Sequence, residues 1–173
     1  MQALASIGQQ KLNCFPGLHF TPMPWLHVTT LVVGFIEEFT ASEIEEMVGR
    51  AHGLFSEIPP ITITLGKILY HREAIALGIR PGDALDPVFK AVRAASRVKI
   101  PEDESAERAP WTPHVTLAYS NSVQPAPPII DALGHELPSC DATVSRVNLI
   151  VQEGAERLWK WRSIAEVPFA AGR

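Results

Sequence analysis

Two apolar, β-branched stretches of this chain carry the same tripeptide, His-Val-Thr: WLHVTTLVVG begins at Trp25 and PHVTLAYS begins at Pro113. Runs of this composition read as strands. Any fold must therefore accommodate two strands, about half a chain apart, that each present a histidine. In a strand, residues i and i+2 point to the same face. His27 thus shares a face with Thr29, their β-carbons roughly 7 Å apart, and His114 shares one with Thr116. Val115, Leu117 and Tyr119 point the other way, which reads Tyr119 as core. Polar side chains on one face and apolar ones on the other predict strands lying between a core and a cleft.

The rest of the chain supplies strands and helices in mixture. Residues 2–13 read as a short helix stopped by Pro16 and Gly17, and residues 18–21 as a short strand ended by Pro22 and Pro24. Residues 26–33 read as a buried strand. Thr40 followed by Glu43 is a capping box, and Ile44, Met47, Val48, Ala51, Leu54 and Phe55 form the apolar stripe of the helix it opens. Pro59 and Pro60 end that helix. Residues 61–69 alternate as a half-buried strand, and residues 73–79 read as another. Asp86-Pro87 is an N-cap followed by proline, opening a helix with Leu85, Val88, Phe89, Val92 and Ala95 on one face. Residues 101–110 are an acidic loop, 121–128 a proline-rich connection and 129–137 a short helix. Two last strands, 142–151 and 158–167, read as a hairpin. This mixture predicts an α+β or α/β sheet protein.

The residue types in the repeated motif suit proton transfer at a phosphate. An unperturbed imidazole titrates near pH ~6.5, so one neutral and one protonated histidine make a base and an acid at the same pH. A threonine hydroxyl beside each donates to a phosphate oxygen. Two such pairs across a groove would hold a phosphodiester, one histidine taking a proton from the attacking hydroxyl and the other protonating the leaving oxygen. With six His and nine Thr in 173 residues, chance gives roughly 0.3 His-x-Thr matches. The chain has three, His19-Phe20-Thr21 being the third. Prolines follow that copy at once, which makes His19 an edge-strand residue. Trp25 and Trp111 precede the two motif histidines and are candidates for stacking on a nucleobase, set against packing at the core edge. Trp159 and Trp161 alternate in LWKWRS, and an ordinary hairpin is the stronger reading there. His52 and His135 read as surface residues and His71 as part of a loop.

Several classes are excluded. No His, Cys, Asp or Glu cluster has ligand spacing, and neither a P-loop nor GxGxxG occurs, so neither a metal nor a cofactor is expected. Net charge is −4, a poor footprint for long nucleic acid such as DNA. Cys14 and Cys140 read as reduced, packed thiols, which points to a cytoplasmic protein. The sequence predicts neither a signal peptide nor a membrane span.

The two motifs, H27-V-T-T30 and H114-V-T-L117, with their flanks, resemble the 2H phosphoesterase superfamily in its 2′-5′ RNA ligase-like branch. The resemblance runs from about residue 18 to 168. It implies one bilobal α+β domain over residues 1–173, with two pseudo-symmetric, mostly antiparallel sheets, outer helices and a central groove. It implies metal-independent chemistry on 2′-5′ or 2′,3′-cyclic phosphodiesters, with RNA ends or small cyclic nucleotides as partners. His27 and His114 become the acid/base pair, and Thr29 and Thr116 bind phosphate. Members of that family usually begin with a strand before the first helix, whereas this chain opens on the helix. The first lobe is therefore expected to lack that strand. The rival expectations are a non-catalytic RNA- or nucleotide-binding protein with the same groove, and a protein whose histidines are merely packed.

Overall fold

The computed structural model describes residues 1–96, 111–155, 157 and 159–171; the expected acidic loop lies outside them. Among the described residues, four helices, α1 (Gln2–Leu12), α2 (Ala41–Phe55), α3 (Asp86–Ala95) and α4 (Ala126–Leu133), accompany seven strands. These are β1 (Leu18–Phe20), β2 (Ile61–Tyr70), β3 (Ala74–Arg80), β4 (His114–Ser120), β5 (Glu136–Val144), β6 (Arg146–Gln152) and β7 (Trp161–Pro168). The first five strands form one sheet in the order β1-β4-β3-β2-β5, antiparallel throughout, and β6 and β7 form a second. This is the expected α+β class, with antiparallel sheets of unequal size.

Local chemistry accounts for the elements that hold. At α2, Thr40 Oγ1 accepts from the backbone N–H of Glu43 at 3.3 Å, and the Thr40 N–H donates to the Glu43 carboxylate at 2.8 Å. Two orphan donors at the helix start are thereby satisfied. The stripe below places Met47 and Phe55 in the core, and Phe55 stacks on Phe169 with ring centres 5.1 Å apart. Helix α1 lays Leu4, Ala5 and Leu12 into the core of the larger sheet, beside Leu117, Leu133 and Leu137. Gly66 marks a register shift in β2; a Cβ there would meet the Leu137 carbonyl at 3.2 Å. Among the described residues, no helix is long and apolar enough to cross a membrane.

Several boundaries differ from expectation. Residues 26–33 are not a strand. They run without regular structure, and among the described residues no backbone group there joins a ladder. β-Branched composition reports a fit to a pleated surface, but a ladder also needs a neighbour to complete it. The apolar side chains are used otherwise: Leu26 is buried, and Leu31 and Val33 line an apolar hollow walled by α2, α3 and the β6–β7 hairpin. The single strand expected over 142–151 is two, β5 and β6, divided at Ser145, and β5 begins at Glu136 as a polar edge strand on β2. Helix α4 starts at Ala126, inside the expected proline-rich connection. Pro127 and Pro128 sit in its first turn, where an N–H is not needed, and Gly134 at φ 78° ends it. Asp86 is the first residue of α3 and Leu85 its cap.

Candidate active site

His114 opens β4 and is exposed, opposite Gly78 of β3. Its Nδ1 lies 2.7 Å from the Thr112 carbonyl oxygen. His27 lies half-buried in the irregular segment that follows the short turn Met23–Trp25, and its Nδ1 is 2.8 Å from the Trp25 carbonyl oxygen. In both cases the partner is the carbonyl two residues back. A carbonyl oxygen can only accept, so Nδ1 carries the hydrogen in both rings. The tautomer is fixed, and Nε2 is left as the working nitrogen of each imidazole.

The two motif segments meet. The Trp111 indole N–H donates to the Thr29 carbonyl oxygen at 3.1 Å. Its ring lies flat on Phe89 of α3, with centres 4.8 Å apart and planes 8° from parallel. Trp111 thus ties the second motif to the first and to a helix. Trp25 instead meets Trp161 edge-on, centres 4.7 Å apart. His27 also senses the charge of His114. Burial holds the His27 pKa below the ordinary imidazole value; the hydrogen bond to Trp25 opposes that, and the His114 charge adds to it. Thr29 is exposed, whereas Thr116 is buried beside Ala76 of β3.

Four residues on the His27 side of the site are not marked as site residues by the sequence. Trp159 and Trp161, read as part of an ordinary hairpin, both pack on His27, with ring centres at 4.8 and 5.1 Å. Their alternation was visible, but only the tertiary fold decides that their shared side faces the first motif. Tyr119 is a correction. It is half-buried outside the core, its ring stacked on Trp159 at 5.9 Å. A register shift in the β3–β4 pairing leaves Leu117 as an extra residue, so strict alternation fails beyond it. Arg157, at φ 71°, lays its guanidinium over Tyr119 at 5.4 Å. No signal in the sequence marked it.

The remaining histidines stand as read. His19 is on β1 at the sheet edge, His71 is in the β2–β3 turn, and His52 and His135 are exposed. Both cysteines are free, and Cys14 is exposed instead of packed.

The fold recurs in solved structures. TT0787 of Thermus thermophilus superposes with a TM-score of 0.76 at 18% identity, covering 99% of this chain and 93% of that one. E. coli LigT complexed with ATP gives 0.70 at 17% identity, again over 99% of this chain and 93% of that one. A crystal structure described as a phosphoesterase gives 0.66 at 18% identity, over 96% and 93%. No curated relative matches the chain in sequence. The family model of the 2′-5′ RNA ligase superfamily matches residues 8–156, an interval that contains both His-Val-Thr motifs. The chain therefore belongs to the 2′-5′ RNA ligase superfamily, whose members act as phosphoesterases or in RNA ligase-like reactions.

Proposed function

We propose that this protein opens, or in reverse forms, 2′,3′-cyclic or 2′-5′ phosphodiester bonds by general acid and base catalysis between His27 and His114. The observation that carries this reading is the matched pinning of the two rings. Each Nδ1–H is committed to a backbone carbonyl, so each Nε2 is free for a proton. His27, held neutral by its depressed pKa, is the base in the hydrolytic direction. Its Nε2 takes the proton of the attacking water or hydroxyl as the new P–O bond forms. His114, the exposed partner, gives the Nε2 proton to the leaving oxygen as the old P–O bond breaks. Each transfer contributes ~10²–10⁴ in rate. The hydroxyls of Thr29 and Thr116 hold the phosphate oxygens. The scheme runs on the two imidazoles alone.

Small nucleotide ligands are supported by E. coli LigT, which has been crystallised with ATP, 3′-AMP and NADP+. An RNA end carrying the same cyclic phosphate presents the same chemistry. The second reading, a binder without turnover, rests on the buried state of Thr116, which restricts one of the two phosphate-holding hydroxyls. The test is a panel of 2′,3′-cyclic nucleotides and 2′-5′-linked dinucleotides incubated with the protein in EDTA. Turnover of one class supports the enzyme and names its bond. Saturable binding of a cyclic nucleotide that is recovered intact identifies the binder instead.

A further inference from the structure

We propose that Arg157 is a positioning residue for His27, acting along a stack of rings that runs Arg157, Tyr119, Trp159, His27. The links are geometric. The guanidinium stands 5.4 Å from the Tyr119 ring centre, Tyr119 lies 5.9 Å from Trp159 with planes 27° apart, and Trp159 lies 4.8 Å from the His27 ring. The far end of the stack is anchored to the larger sheet. Arg157 Nη1 donates to the Ser120 carbonyl at 3.0 Å, and Nη2 meets the Glu73 carboxylate at 3.4 Å.

The anchor matters because, among the described residues, Trp159 has little else to hold it. It precedes β7 and has φ 51°, a left-handed conformation unusual for a bulky residue. Its indole nitrogen is buried without a hydrogen-bond partner among the described residues. An unpaired buried donor disfavours this placement. Packing between Tyr119 and His27 must offset that, and Arg157 fixes the outer ring. A planar, forked guanidinium suits the task, since it stacks on an aromatic face while donating in its own plane. An ammonium cannot do both.

The consequence lies at His27. Trp159 and Trp161 wall the ring from water, and that burial keeps it neutral near pH 7. Among the described residues the charged groups around it are few. His114 faces it from β4, Arg157 and Glu73 stand at the far end of the stack, and Lys160 and Arg162 flank Trp161 on the exposed side, Arg162 paired with Glu153. Loosening the stack admits water to His27, and its titration midpoint rises toward the ordinary value.

The importance of this device for catalysis rests on His27 being the base, but its existence does not. The test therefore reads the His27 ring directly, by NMR titration of the full chain without substrate. Arg157→Ala, Arg157→Lys and Tyr119→Leu are each expected to raise the His27 midpoint. Tyr119→Leu decides between routes, because it keeps the Arg157 charge. A midpoint that moves in Arg157→Ala but not in Tyr119→Leu or Arg157→Lys would mean a direct charge effect and overturn the proposal. An unmoved midpoint in all three variants would overturn it too. In an active protein, the acid limb of the pH–rate profile moves with the midpoint.

Discussion

Replacing Trp111 by Phe isolates the contact that joins the two motifs. The Phe ring can keep the flat stack on Phe89, while the indole N–H to the Thr29 carbonyl is lost. Thr29 is exposed, so water can satisfy the abandoned carbonyl, and the stability cost is that of an ordinary hydrogen bond, about 0.5–1.5 kcal/mol. The functional cost has a different origin. Among the described residues this is the one hydrogen bond between residues 25–34 and 111–120. It sets His27 relative to His114, because the first segment has no ladder of its own. If the full ~1 kcal/mol is felt in the transition state, kcat/KM falls about fivefold. If the segments drift by ~1 Å, the loss approaches ~100-fold. The assay is turnover of a 2′,3′-cyclic nucleotide, run beside urea denaturation of the same sample. A fall of at least about fivefold, carried mainly by kcat, is expected. A urea midpoint lowered as calculated with kcat/KM unchanged would refute the reasoning, since Trp111 would then serve stability alone.

Two further outcomes follow from His27 and from α2. The folded state depresses the His27 pKa, so the unfolded chain binds that proton more readily. The stabilising contribution is complete above the unfolded value of ~6.5 and is lost as pH falls from there through the folded value. Urea midpoints from pH 7.5 to 5 are expected to decline less steeply in His27→Gln than in wild type; equal slopes would count against the buried, neutral ring. Thr40→Ala removes the hydroxyl that accepts from the Glu43 N–H, which is its half of the capping box. It is expected to cost about 1 kcal/mol with activity per folded molecule unchanged, because α2 supplies no group to the histidines; a loss of specific activity would sink that expectation.

The features legible in the sequence were those decided by neighbours in the chain. The capping box at Thr40 and Glu43 involves residues three apart, and α2 begins where they place it. The strand at His114 formed because β1 and β3 flank it on both edges. The same tripeptide at His27 failed to form one, because the sequence shows the apolar run and not whether a partner lies beside it. Leu31 and Val33 meet a hollow there instead. Tyr119 was misplaced by a register shift that only the β3–β4 pairing reveals. Trp159 and Trp161 reach His27 across more than a hundred residues of chain, and Arg157 joins their stack through Tyr119. That approach is fixed by how the hairpin docks, and a period of two carries no information about docking. The pinning of both Nδ1 atoms was likewise out of reach, since it depends on backbone carbonyls that any residue would present.

Two imidazoles acting together on one phosphate carry the proposed chemistry, and the most direct test is turnover by His27→Ala, His114→Ala and the double variant in EDTA. Each single substitution is expected to lower kcat by ~10²–10⁴, with far-UV circular dichroism unchanged. The double variant is expected to fall little further than the worse single one, because the two residues act as a unit. A folded single variant that keeps wild-type turnover would contradict the two-histidine mechanism.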